Sequence, residues 1–228
     1  HIYCAPGNGG ISKDAECVDI KAMDIEGMVS FAKQNGVEFA VVAPDDPLVA
    51  GMVDAFEAEG IRTFGPNKAA AILEGSKVFS KDLMKKYHIP TAKYEVFTDS
   101  EQAIAYIQEQ NTYPTVVKAD GLALGKGVII AENFEQAKEA VVSIMEDKIF
   151  GASGSQLVVE EFLTGPEVSV LSFTDGHVVK PMISSMDHKR ALDGDKGKNT
   201  GGMGTVAPNP YYTPEVAQRC MDEIFLPT

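Results

Sequence analysis

Short apolar runs alternate with capped helical stretches through the first third of the chain, and that order admits few folds. FAVVAP (39–44) and IRTFG (61–65) are apolar runs closed by Pro or Gly, as strands buried in a parallel sheet are. DIEGMVSFAKQNG offers Asp24 as a helix N-cap and Gly36 as the residue just past the helix end. PLVAGMVDAFEAEG predicts a second helix that starts at Pro47 and stops at Gly60. With IYCA at the start, the series is β-α-β-α-β, part of a doubly wound sheet. The chain opens directly on that strand and on GNGG, so the first strand and helix of such a unit are expected to be missing.

Residues 67–90 carry two helical stretches, NKAAAILEG and GSKVFSKDLMKKYHIP, the second stopped by Pro90. They read as a connector. A small β-α-β-β-α unit follows over about residues 95–155: AKYEVF, a helix capped by Asp99 or Ser100, TVVKA, GVIIA, and the helix NFEQAKEAVVSIMED. QLVVEEF and EVSVLSF are predicted strands, and TDGH an Asp-Gly hairpin turn into VVKPMI. Residues 184–210 have no period of 2 or 3.6 and read as a long loop, a kind that is usually functional. The expected domains are 1–67 (partial N-terminal α/β), 68–94 (helical connector), 95–157 (a lid) and 158–228 (part of a larger domain).

Composition removes several classes of function. The chain has 228 residues, 44% of them hydrophobic, enough for a buried core. A net charge of -13 repels polyanions, and with no basic patch in view a nucleic-acid partner is not expected. No apolar run reaches the roughly 20 residues that span a bilayer, so no membrane partner is expected and a cytoplasmic location is the default. Cys4, Cys17 and Cys220 lack CxxC spacing, and His1, His88, His177 and His188 lack the i, i+4 spacing that converges on zinc.

The segment KADGLALGKGVII (118–130) is rich in glycine and lysine, but it is not a Walker A loop. Gly121 and Gly125 enclose three residues where that loop needs four before its Gly-Lys pair, and Gly127 stands where Ser or Thr would bind magnesium. It joins two strands, so it is a hairpin loop. Such a hairpin can fold over a triphosphate, because glycines let backbone N–H groups approach the oxygens, with Lys118 supplying charge from the side. It can equally be a flexible hairpin with solvated lysines. In VVEEFLTGPEVSV, alternation puts Glu160 and Glu161 on opposite faces, so at least one carboxylate points toward a site or a partner lysine, unless the strand is an edge with both solvated.

Taken together, APGNGG, PLVAG, FGPNKAAAILEGSKVFSKD, VVKADGLALGKGV, VEEFLTGPEVSVL and DHKRALDGDKGKNTGGMG (187–204) resemble the glycinamide ribonucleotide synthetase family of the ATP-grasp superfamily along the whole chain. The resemblance implies an α/β architecture with an α+β lid: an ATP-grasp fold preceded by a partial doubly wound parallel domain, with ATP clamped between two sheets. It implies that Lys118 and Lys77 meet the ATP phosphates and that Gly121, Gly125, Lys126 and Gly127 close over them. Glu160, Glu161, Phe162 and Leu163 match the adenine hinge, and Glu167 the acid near the ribose. Asp187, His188, Lys189 and Arg190, with Asn199, Thr200, Gly201, Gly202, Met203 and Gly204, match the border of the glycine and 5-phosphoribosylamine pocket.

The implied chemistry is an ATP-dependent ligation in purine biosynthesis through an acyl phosphate, with Mg2+ (or Mn2+) and no protein nucleophile. Ala43-Pro44-Asp45, Lys198 and Thr205-Val206-Ala207 depart from the family's usual residues. The magnesium-binding Glu and Asn of the family have no counterpart here and are expected beyond Thr228. The chain is therefore expected to be an internal fragment, inactive by itself. Alternatives are another ATP-grasp carboxylate-amine ligase, or a nucleotide-binding module without catalysis.

Overall fold

The computed structural model describes residues 1–122, 127–194 and 196–228. Contacts divide the chain into two units, 1–81 with 94–160, and 82–93 with 161–228.

In the first unit, β1 (Tyr3–Cys4) pairs in parallel with β2 (Glu16–Cys17), a short strand the sequence does not announce. Helix α1 (Ile25–Gln34) starts where Asp24 accepts from the Gly27 N–H, as its capping position predicts. β3 (Phe39–Val41) then pairs in parallel with β4 (Arg62–Phe64). The single helix expected over 47–60 is two, α2 (Asp45–Ala50) and α3 (Met52–Ala58). Gly51 separates them at φ +97°, a left-handed conformation that a helix cannot pass through and that glycine adopts without a Cβ clash. Ala32, Val42, Met52, Val53, Phe56 and Ile61 make the small core of this part.

Helix α4 (Lys68–Gly75) is capped by Asn67, and α5 (Lys77–Lys86) follows after one residue. The second core belongs to a four-stranded sheet of β5 (Tyr94–Phe97), β6 (Thr115–Ala119), β7 (Val128–Ala131) and β8 (Leu157–Glu161), in the order β5-β8-β6-β7. The strand Leu157–Glu161, which the sequence reading divides between two domains, thus lies inside this sheet. Helices α6 (Ser100–Gln110) and α7 (Phe134–Met145) are capped by Asp99 and Asn133.

Strand alternation sorts the residues of this sheet. Val117, Ala119, Leu157 and Val159 join Ala103, Ile107, Ala137, Val141 and Ile144 of the two helices in one core. The intervening positions, Val116, Lys118, Val158 and Glu160, therefore share the opposite face. β6 and β7 are antiparallel with Lys118 opposite Val128, and the Ala119 N–H donates to the Gly127 carbonyl. The Gly-rich segment is thus a hairpin loop, as expected; Gly125 and Lys126 lie outside the described residues.

In the second unit, β9 (Ser172–Thr174) and β10 (Val179–Pro181) form an antiparallel pair. The strand expected over 167–173 is regular only at its end, preceded by an isolated bridge from Ser169 to Ser185. The turn is a four-residue loop rather than a two-residue one, held by the Asp175 carboxylate, which accepts from the His177 and Val178 N–H groups. The segment expected to be one long loop contains two ladders: β11 (Met186–Asp187) with β14 (Thr205–Val206), and β12 (Arg190–Leu192) with β13 (Lys196–Asn199). Strands this short leave no side-chain period to read, because backbone pairing alone makes them. Helix α8 (Pro214–Cys220), capped by Thr213, runs into a π-helical turn at Met221–Phe225.

Leu157 is fully buried against both helices, so Leu157→Ala is expected to cost about 2–5 kcal/mol, read as a lower denaturant midpoint at unchanged slope. The same truncation of exposed Leu171 is expected to leave the midpoint nearly unchanged.

Candidate nucleotide and substrate sites

A carboxylate buried on the face of the sheet opposite α6 and α7 organises the first unit. Glu160 is 5% exposed, and its Oε2 lies 2.8 Å from Lys118 Nζ and 3.3 Å from Lys81 Nζ. Lys118 comes from the neighbouring strand β6, on the same face. Lys81 comes from α5, 5.4 Å above the ring of Tyr94, the residue opposite Glu160 in the sheet register. Thr115 Oγ1 donates to the Glu160 carbonyl, tying β6 to β8. Glu160 Oε1 has no partner although it is buried, so a donor is wanted there.

A second acid sits at the start of α5. Asp120, just past the end of β6, accepts from Ser76 Oγ at 3.1 Å, the Val78 N–H at 3.2 Å and Gln156 Nε2 at 3.1 Å. An anion held on an N–H of the first helical turn is favoured by the helix dipole. Lys77, the first residue of α5, donates its ammonium to the Gly121 carbonyl. Gly121 has φ +83°, and a Cβ there would come 2.6 Å from Ser153 Oγ, so the strand can turn here only as glycine.

Burial pushes the Lys77 ammonium below the ordinary lysine value; the Lys118 charge acts the same way, and Asp120 opposes both. Lys77, Lys81 and Lys118 gather beside Glu160 and Asp120, with Glu74 also acting on Lys77. Three ammonium groups close together can donate to a ligand with several acceptor oxygens, as a polyphosphate has.

Lys77, Lys118, Gly121 and Glu160 are thus brought together by the first unit. The sequence reading missed Lys81, Asp120 and Gln156: Lys81 is one of four lysines in a stretch that reads as an amphipathic helix with solvated charges. No signal in the sequence separates it from Lys85 or Lys86.

In the second unit, the Glu161 N–H donates to the Lys93 carbonyl while Glu161 Oε1 accepts from the Lys93 N–H. Glu160 and Glu161 face apart, one paired with lysines, the other exposed, as alternation requires. Phe162 and Leu163 are exposed. Glu167 makes an exposed ion pair with Lys189.

The candidate substrate residues come together as facing arms. The His188 N–H donates to the Gly204 carbonyl, and the Met203 N–H to the His188 carbonyl. Thr200 donates through both N–H and Oγ1 to the Lys189 carbonyl, and its Oγ1 accepts from the Gly202 N–H. Asp187 accepts from Thr205 Oγ1, and Arg190 donates to the Gly197 carbonyl. Asn199 lies opposite Arg190 in the ladder, and Gly201 follows Thr200 in the connecting turn. Beneath them Asn209 is 3% exposed, its amide donating to the Glu167 and Ser185 carbonyls while its own carbonyl oxygen accepts from the Tyr211 N–H. Sequence reading passed over this anchor, since a polar residue between two prolines reads as a turn.

Among the described residues, no three His, Cys, Asp or Glu side chains gather around one metal position. A groove of about 470 Å³ between α1 and α3, lined by Ile25, Val29, Lys33, Ala55 and Glu59, holds none of the candidate residues. No helix of the described residues is long and apolar enough to cross a membrane.

Removing the Glu160 charge leaves two ammonium groups facing one another in a buried space. Glu160→Leu is therefore expected to destabilise the fold by about 3–5 kcal/mol, and pairing it with Lys81→Met to recover much of that loss in equilibrium unfolding.

Comparison with known proteins identifies the family. Residues 1–74 match the family model of the phosphoribosylglycinamide synthetase N domain, and residues 75–228 that of the phosphoribosylglycinamide synthetase ATP-grasp (A) domain. Among curated relatives, the phosphoribosylamine–glycine ligase of Clostridium acetobutylicum is 49% identical over 227 residues, covering 100% of this chain and 54% of its own length. That of Vibrio vulnificus is 51% identical over 229 residues, covering 100% and 53%. The crystal structure of the Thermotoga maritima phosphoribosylamine–glycine ligase superposes with a TM-score of 0.78 at 31% identity, over 99% of this chain and 54% of that one. The biotin carboxylase domain of Hydrogenobacter thermophilus 2-oxoglutarate carboxylase, solved with MgADP, shares the fold with a TM-score of 0.76 at 19% identity, over 99% and 51%. The chain spans about half the length of the curated relatives it matches. With both of its parts matched in order by the same family's domains, the chain belongs to the phosphoribosylglycinamide synthetase family and carries its ATP-grasp fold.

Proposed function

We propose that the protein takes part in the ATP-dependent joining of glycine to 5-phosphoribosylamine, giving glycinamide ribonucleotide, ADP and phosphate. In this reading a carboxylate oxygen of glycine attacks the γ-phosphorus as ADP leaves. The amine nitrogen of 5-phosphoribosylamine then attacks the glycyl carbonyl carbon, phosphate leaves, and the amine gives up a proton. The observation that carries the reading is the buried Glu160 with Lys118 and Lys81 beside Lys77, three ammonium donors gathered together in a chain of this family.

Roles follow from chemistry already present. Lys118 and Lys77 supply ammonium donors for phosphate oxygens, and Gly121 and Gly127 flank the hairpin loop that the family resemblance closes over them. The orphaned Glu160 Oε1 fits a ligand donor, and Glu161, Phe162, Leu163 and Glu167 belong to the base and ribose side. Asp187–Arg190 and Thr200–Gly204 form a pocket border rich in backbone donors and charge, suited to small anionic substrates. With no nucleophile required, the contribution of these residues is positioning and neutralisation of charge. Magnesium, when bound, would offset charge on the transferred phosphate beside the ammonium groups of Lys77 and Lys118. A cytoplasmic location belongs to the same reading.

In the full reading frame that carries these residues, ADP formation is expected to require both glycine and 5-phosphoribosylamine. ADP formed with another carboxylate in place of glycine would point to a different ATP-grasp ligase, and ATP binding without any ADP would point to a sensing module. Lys118→Ala removes one charge-assisted hydrogen bond, worth about 1.5–3 kcal/mol, so the ATP KM is expected to rise about ten- to hundredfold. An unchanged KM would remove Lys118 from the site.

A further inference from the structure

Two lysines share one carboxylate, and they are not equivalent. The Lys81 side chain is 10% exposed, enclosed between Glu160 and the Tyr94 ring. The Lys118 side chain is 26% exposed, closer to Glu160 at 2.8 Å, and within electrostatic reach of Lys77. The inner lysine is thus fixed, and the outer one has access to a ligand.

That difference has an energetic consequence for the nucleotide reading above, on which this inference rests. A lysine that serves as the sole counter-charge of a buried carboxylate cannot turn to a ligand without leaving that carboxylate unpaired, which is costly. With a second ammonium already on Glu160, Lys118 can shift toward an anion while the carboxylate stays compensated.

We propose that Lys81 is a positioning residue: the standing counter-ion of Glu160 that releases Lys118 to bind the polyphosphate of the nucleotide. Lys81 itself touches no ligand in this scheme. Its effect on phosphate binding passes through Glu160 and Lys118.

The test uses Lys81→Met and Lys81→Arg in the full reading frame, with ATP and adenosine as calorimetric probes and thermal melting as a check on folding. Lys81→Met leaves Lys118 as the ion-pair partner of Glu160 among the described residues, so ATP affinity is expected to fall about tenfold or more while adenosine affinity stays within about twofold. Lys81→Arg is expected to restore most of the ATP affinity. In a Glu160→Gln background, where no charge needs compensating, Lys81→Met is expected to cost ATP affinity little. Should Lys81→Met not fold, Lys81→Gln carries the same comparison.

Equal losses for ATP and adenosine, or the same ATP penalty with Gln at position 160, would overturn the inference and leave Lys81 a packing residue. Unchanged ATP affinity in Lys81→Met would overturn it as well. Failure of the unsubstituted protein to bind ATP would overturn the nucleotide reading and this inference with it, so the two failures are told apart.

Discussion

A carboxylate placed in the middle of a sheet, away from water, has to be answered by positive charge, and the placement of Glu160 draws in each element around it. Its strand β8 lies between β5 and β6, so Lys118 stands beside it on one side and Tyr94 on the other. Helix α5 brings Lys81 to the same oxygen, and the first turn of that helix is fixed by Asp120 from the end of β6. The face that carries these charges lies opposite the one on which α6 and α7 pack a mainly apolar core. Packing on one side thus sets the register that gathers charge on the other.

The two units contribute different chemistry. The first holds a cationic cluster with an unsatisfied buried acceptor, arranged on regular strands and a helix. The second presents its candidate residues on short ladders whose backbone groups bond across the arms, with Asn209 anchoring them from below. A rigid charged platform suits the triphosphate common to many ATP-grasp proteins. A surface built from irregular arms is where one family can come to differ from another, since its shape depends on single turns more than on a shared sheet.

Much of this was legible in the residues, and the reasons differ from place to place. Asp24 and Asp99 declare helix starts through a local bond that the sequence alone determines. The hairpin between Thr115 and Ala131 follows from two β-branched runs and a glycine-rich join. The break at Gly51 was hidden, because apolar residues on either side of it suit one continuous helix. The ladders in 184–210 were hidden for another reason: pairs of two to four residues are made by the backbone and carry no period. Lys81 looks like a solvated lysine until the fold brings Glu160 to it, since burial of a charge is decided by long-range contact and not by neighbours in the chain.

Affinity labelling of the full reading frame with an adenosine polyphosphate bearing a pyridoxal aldehyde, followed by borohydride reduction and peptide mapping, tests the cationic cluster most directly. The account predicts label on Lys77 or Lys118 that ATP abolishes. Label spread over surface lysines such as Lys33 and Lys86, unaffected by ATP, would contradict it.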